Sequence, residues 1–357
     1  MFLESPHKRP MGSDTSPQGD AFLVRHSRVR PLTLAVLLGS MLAVGGWYGS
    51  HRRATTTSTH SVTVASGVEY QYLPEGSLCV QGMSSDALLL DVDLRTPGLH
   101  IEVATEKVGK QPGGAVSGIA HTVREWCVRE HALGGINGGF FGKTAGDSKE
   151  IMGLLMTDGQ VRNPGRKVQS PSNPANHFVR AALGFTTNGI PRIGWLTSDR
   201  DNGVHSVNQP LNPTTNQVWN LHSALACGPR LIAGGNVVVT DRQERLVNPR
   251  AVPRTFVAYD LEGKGRNARP RHLILGVAME MTFADVATCM QRYFHIVHHT
   301  ECAEALCLDG GSSSQLIYHD PQKPTTPNAF IDARPGFVTV PTALLIRQDG
   351  PNSRPLP

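Results

Sequence analysis

The sequence predicts an α+β fold: a single domain with a large mixed, mostly antiparallel sheet and at least two packed helices, preceded by an N-terminal transmembrane segment. Three observations carry the soluble part of this prediction. Short runs of branched or alternating residues recur from residue 68 to residue 346, Gly-Gly, Asp-Gly and Asn-Gly pairs punctuate them, and only two segments place apolar residues at helical spacing. At 357 residues and 39% hydrophobic content the chain can bury a substantial core, and it has the composition of a globular protein, neither repeat nor fibre.

Taken in order, residues 68–73, 87–94 and 99–104 read as successive strands. Across residues 115–131, Val116, Ile119, Ala120, Val123, Trp126 and Cys127 fall on one helical face, and Gly134-Gly135 ends that helix. Turns at Asp158-Gly159, Asn188-Gly189 and Gly234-Gly235, each between apolar runs, predict antiparallel hairpins. The second helix begins at Thr282, where the Thr282 hydroxyl and the Asp285 carboxylate can satisfy orphan amides, and Val286, Met290, Tyr293 and Val297 line its face. Residues 255–259, 272–277, 305–308, 315–318 and 338–346 supply the remaining strands. Three long polar stretches, 163–177, 198–217 and 319–336, exceed ordinary connections and read either as rims over a site or as disordered insertions.

The organisation expected is a cytoplasmic disordered tail (1–30), a membrane-spanning signal-anchor (31–49), a hydroxyl-rich linker (50–61), one folded domain (62–348) and a short tail (349–357). Residues 31–49 are uncharged and mostly apolar, follow Arg25, Arg28 and Arg30, and end at Trp47-Tyr48, which predicts a cytoplasmic N-terminus and an exported domain. A cleaved signal peptide and secretion is the alternative. Seven Lys/Arg and three acids lie in residues 1–53, so most of the formal charge of +5 sits there. The remainder shows no nucleic-acid footprint. Six cysteines in an oxidising compartment permit disulfides of unspecified connectivity. His298, His299, Cys302 and Cys307 raise a zinc site, but a second paired-ligand element is missing; no cofactor is predicted, and a divalent cation is left open. Oligomeric state is not legible.

Two glycine-rich loops can carry chemistry. Asn137-Gly138-Gly139-Phe140-Phe141 follows an apolar stretch, and its glycines allow backbone amides close to a ligand; taken alone, a tight turn whose phenylalanines fill the core is the plainer reading. Gly142-Lys143-Thr144 is not a phosphate loop, because position 137 is Asn where that motif requires Gly. Asp309-Gly310-Gly311-Ser312-Ser313-Ser314 puts a carboxylate at the end of a buried strand, beside hydroxyls and free amides suited to sugar or phosphate oxygens. An Asp-Gly hairpin turn joining two strands reads equally from the same residues. A GxSxG elbow is absent, so a serine-hydrolase triad has no support.

Together the loops, in their order, resemble those of the phosphodiester glycosidases, the family of the N-acetylglucosamine-1-phosphodiester α-N-acetylglucosaminidases or uncovering enzymes. The resemblance runs through Ile136-Asn137-Gly138-Gly139, Met152-Gly153, Ala182-Leu183-Gly184-Phe185, Cys227-Gly228-Pro229, Arg254-Thr255, Leu308-Asp309-Gly310-Gly311 and Pro341-Thr342-Ala343-Leu344. It implies hydrolysis between a sugar anomeric carbon and a phosphate, with glycan or sugar-phosphate material outside the cytoplasmic membrane as substrate. Phosphate leaves readily, so one carboxylate near the oxocarbenium-like centre matters more than a strong acid. Asp309 is the expected carboxylate, as base, nucleophile or stabiliser. Arg254 is expected to clamp phosphate with Thr255, Ser312 and Ser313, and Asn137, Gly138, Gly139, Gly310 and Gly311 to hold sugar or phosphate oxygens. Two departures stand out: Ser312 replaces a glycine after Asp-Gly-Gly, and Glu280 replaces a glycine before Met-Thr. Glu280 is thereby a candidate second catalytic carboxylate, with Asp158, Asp260 and Asp285 as further acids. The alternatives are a non-catalytic envelope carbohydrate-binding or polysaccharide-assembly protein of the same fold, and a hydrolase of ordinary glycosides.

Overall fold

The computed structural model describes residues 60–111, 115–143, 146–164, 168–170, 173–198, 203–263 and 265–349. The expected tail, membrane span and nearly all of the linker lie outside the described residues. Among the described residues no helix is long and apolar enough to cross a membrane.

In place of one large mixed sheet there are three larger sheets and a small hairpin, and every strand pairing described is antiparallel. The first sheet orders eight strands as His60–Ala65, Val68–Leu73, Ala87–Asp93, His272–Met281, Val252–Asp260, Cys302–Cys307, Arg230–Ala233 and Asn236–Val237. The second eight-stranded sheet is built around Phe330–Arg334, Leu316–His319, Gly134–Asn137, Thr342–Gln348 and Leu99–Lys110. A seven-stranded sheet has Ala181–Phe185 near its centre, flanked by Ser223–Ala226 and Pro191–Ser198.

Period-two alternation sorts each strand between two environments. In Val252–Asp260, Val257 and Tyr259 enter the core shared by all three sheets, while Phe256 and Ala258 face away from it. Helix α1 (Val123–Arg129) packs Val123, Trp126 and Cys127 on the outer face of the second sheet. Helix α2 (Phe283–Tyr293) packs Phe283, Val286, Met290 and Tyr293 on the outer face of the first. The two eight-stranded sheets thus meet face to face, each with a helix behind it.

The helix expected over 115–131 is half strand. Val116–Ile119 pairs with Leu99–Lys110 and Ser148–Ile151, and α1 starts only at Val123. The reason is local: branched Val116 and Ile119 with Gly118 disfavour a helix, whereas Thr122 and Glu125 form a reciprocal capping box. The box at Thr282 and Asp285 is present as expected. So are the three hairpins, with Thr157 opposite Gln160, Phe185 opposite Pro191 and Ala233 opposite Asn236. The long polar stretches carry strands of their own: Val168–Ser170, Asn173–Phe178, Val204–Val207, Thr215–Val218 and Phe330–Arg334. All six cysteines are buried free thiols.

Candidate active site

Both glycine-rich loops lie where the two eight-stranded sheets meet. Asn137 ends the strand Gly134–Asn137 of one sheet, and Asp309 follows Cys302–Cys307 of the other. The seam is closed by the Asn137 side chain, which is fully buried. Its Nδ2 donates to the Asp309 carbonyl at 2.7 Å, and its Oδ1 accepts from the Thr255 hydroxyl at 2.8 Å and from the Gln315 amide at 3.1 Å. Having given its one hydrogen to Asn137, the Thr255 hydroxyl accepts from Ser314, whose Oγ is 3.0 Å away. Asp309 N–H returns a bond to the Gly138 carbonyl at 3.2 Å.

Two glycines permit this approach. A Cβ on Gly139 would stand 2.6 Å from the Ala226 carbonyl oxygen, and one on Gly310 would stand 2.8 Å from that of Pro253. Any other residue would push the loops off the strands beneath them.

This network leaves Asp309 as the partly exposed acid of the cluster. Burial pushes its carboxyl up to about 6, and hydrogen bonds from the Ser313 hydroxyl and the Gly310 amide offset that only in part. Ser312 is exposed beside it, while Ser313 and Ser314 are buried. Asp309 is therefore close to half ionised near pH 6 and ionised at neutral pH.

The structure redistributes the expected roles. Asn137 and Thr255 are wholly internal and position the Asp309 loop, so their side chains offer a ligand no surface. Arg254 is 6% exposed and points to the outer face of its sheet, opposite to Thr255. Its Nε donates to the Met281 carbonyl at 3.1 Å, its Nη2 to the Asn248 and Arg250 carbonyls, and its guanidinium lies 3.9 Å above the Phe283 ring. Burial lowers its pKa, with Cys307 and Asp241 acting against that. Arg254 braces the base of the Gly310 turn and does not reach across to the Asp309 carboxylate. Glu280 is exposed at the end of its strand, where its amide bonds Ser85 Oγ at 2.9 Å. Among the described residues no hydrogen bond or ion pair joins its carboxylate to Asp309. Asp285 is spent as a helix cap, Asp260 is bound to His272, and Asp158 lies in an exposed hairpin turn. His298 bonds Asp91, and Cys302 and Cys307 are buried in a strand; no group of three metal-binding side chains stands together among the described residues.

Several participants received no role from the sequence, although Cys227 and Thr342 stand in segments that carry the resemblance. Gln315 is buried, gives its amide to Asn137, and uses its own side chain to tie Val123 and Val338. Thr342 receives the Gly138 amide on its carbonyl and the Gly139 amide on its hydroxyl. Cys227 accepts from the Phe140 amide and is close enough to feel the charges of both Asp309 and Arg180. Arg180 stands 5.8 Å from the Phe140 ring centre and donates through Nη1 to the Glu244 carbonyl. A cavity of about 480 Å³ opens there, lined in part by Phe140, Met152, Arg180 and Ala226. Glu244 itself is fully buried, and its carboxylate accepts from Ala181 and Arg230 amides, the Trp195 indole and the Thr240 hydroxyl, so it is a structural acid.

A solved structure of a hypothetical protein from Synechocystis superposes with a TM-score of 0.50 at 13% identity over 82% of this chain; the chain spans only 64% of that protein's length. A Burkholderia pseudomallei protein described as exported gives a TM-score of 0.45 at 13% identity, covering 73% of this chain and 74% of its own. A search of curated proteins returned no match. The phosphodiester glycosidase family model matches residues 130–347, a span that holds both glycine loops and every residue of the seam, and the chain belongs to that family of glycosidase-type hydrolases.

Proposed function

We propose that this protein hydrolyses a sugar-1-phosphodiester, cutting the bond between the anomeric carbon and the phosphate oxygen, on glycan or sugar-phosphate material outside the cytoplasmic membrane. The observation that carries the reading is the Asp309 carboxylate: partly exposed at a strand end, short of hydrogen-bond donors, and raised toward neutrality. Groups with these properties suit proton transfer near neutral pH.

In the proposed step, water oxygen attacks the anomeric carbon while the bond to the phosphate oxygen breaks. The bonding electron pair leaves with the phosphate monoester, and Asp309 takes the proton of the water. Phosphate is a good leaving group, which fits a cluster holding one available carboxylate. Ser312 and the amide of Gly311 supply donors for phosphate or sugar oxygens, the Gly310 amide being held by the Asp309 carboxylate. Asn137, Thr255, Ser314 and Gln315 hold the loop and are positioning residues. Export rests on the apolar stretch 31–49 and its arginine flank.

Hydrolysis in ¹⁸O-labelled water tests the bond assignment. Label in the released sugar at the anomeric carbon is the expected result; label in the phosphate would mean phosphorus–oxygen cleavage and a phosphodiesterase instead. A matched glycoside without phosphate should be a much poorer substrate, and equal turnover of the two would favour an ordinary glycosidase. Binding of the phosphodiester with no turnover of either compound would favour the non-catalytic carbohydrate-binding reading.

A further inference from the structure

The cavity beside the Asp309 loop has a composition that the proposed cleavage does not by itself explain. Its volume is about 480 Å³, and its floor and walls include Phe140, Ile151, Leu154, Val179 and Leu196. Phe140 belongs to the first glycine loop, two residues from Gly138, whose carbonyl accepts the Asp309 amide at 3.2 Å. The cavity therefore borders the glycine loop that is bonded to Asp309.

Its polar complement is small. Asn163, which gives one Nδ2 hydrogen to the Ile151 carbonyl at 2.7 Å, joins Lys110, Glu150 and Arg180, the charged side chains of the lining. A second sugar would present several hydroxyls, each needing a donor or acceptor once removed from water. These walls supply few. They match instead a chain of methylenes, whose burial is favourable wherever it displaces water from apolar surface. Arg180, half-buried in the lining with Nη1 on the Glu244 carbonyl, is the cation that suits the phosphate joining such a chain to the sugar.

We infer that the group on the far side of the phosphate is apolar, an alkyl or isoprenoid chain, seated in this cavity with Arg180 against the phosphate. The inference rests on the proposed cleavage and narrows its substrate to a sugar phosphodiester with a lipid-like leaving group.

Three esters of one sugar-1-phosphate test it: methyl, n-octyl, and a second sugar linked through its primary hydroxyl. Each methylene buried in such a site is worth roughly three- to four-fold in kcat/KM, so the octyl ester should exceed the methyl ester by on the order of 100-fold even with partial burial. Met152, half exposed at the rim, allows a variant that spares the core. Met152→Asp should cut the octyl-to-methyl ratio at least ten-fold. Equal rates for octyl and methyl esters, or preference for the sugar-linked ester, would overturn the inference and leave the cleavage reading intact. If no ester is cleaved, the cleavage reading fails, and calorimetry with n-octyl phosphate decides the cavity alone. Binding that weakens in Met152→Asp sustains an apolar phosphate-ester site, and absent or unaltered binding rejects it.

Discussion

Asp260 and Asp309 sit at opposite ends of one strand pair, and the contrast between them separates a structural acid from a chemical one. Asp260, at the end of Val252–Asp260, is fully buried. Burial pushes it up, yet bonds from the His272 ring and amide at 2.8 Å each and from Thr300 at 3.0 Å outweigh that and hold it below the usual carboxylate range. His272 in turn stacks on His298, 3.7 Å between ring centres, and His298 bonds Asp91. Asp309, after Cys302–Cys307, is more exposed and yet raised, because its two donors do not repay its burial. Saturation marks a group that stabilises the fold, and a deficit of donors marks one kept ready to exchange a proton.

Substituting each acid should give opposite results. Asp309→Asn should lower kcat/KM for a sugar-1-phosphodiester by roughly 10³-fold, about 4 kcal/mol, while leaving the fold intact. Asp260→Ala should do the reverse: a stability loss of about 3 kcal/mol by urea unfolding, because the His272 ring and amide and the Thr300 hydroxyl lose their acceptor, with kcat of the folded fraction near wild type. An Asp260 variant that abolished kcat in a fully folded protein would break the comparison.

Asn137→Ala tests the seam that joins the two loops. It strands the Thr255 hydroxyl and the Gln315 amide, so a stability loss of about 2 kcal/mol is expected, together with a fall in kcat of about ten-fold as the Asp309 loop loses its anchor. An effect on KM alone would instead make Asn137 a ligand contact.

The smallest effect concerns stability against pH, and its sign differs at the two acids. Asp309 is raised in the folded state, so the stability it contributes is complete below its unfolded pKa and is lost as pH rises through about 6. Asp309→Asn should therefore stabilise the protein by about 1–2 kcal/mol at pH 8 and change little at pH 3.5. Asp260 is lowered, so its contribution is present above its unfolded pKa and is lost as pH falls through the folded value. Asp260→Asn should cost most near neutrality and less in acid. Parallel curves for the two variants would erase the distinction.

The sequence made local devices legible and left three-dimensional partnership hidden. The capping box at Thr282, the three hairpin turns and the strand at 68–73 follow from rules that act within a few residues, and the structure has them. The strand at 116–119 was obscured because its apolar spacing also fits a helix; the Thr122–Glu125 box was the signal that could have divided the two. Separation into three sheets depends on which strands meet across long stretches of chain, which local pattern does not encode. At the site, the ordered loops pointed to Asn137 and Asp309, and these do converge. Arg254 misled because strand alternation sends it to the face opposite Thr255, where it stacks on Phe283. Arg180 and Gln315 join the site only through tertiary contact, and nothing adjacent to them in the chain marks them, whereas Cys227 stands in a segment of the resemblance that gave it no role.

The central claim is that the ionisation of Asp309 governs turnover. Its most direct test is kcat/KM for release of free sugar from a sugar-1-phosphodiester, measured from pH 4 to pH 9 for wild type and Asp309→Asn. The account predicts a wild-type rate that rises through an apparent pKa near 6, and a variant slower by roughly 10³-fold that lacks this limb. A variant with the wild-type rate and the same rising limb would contradict it.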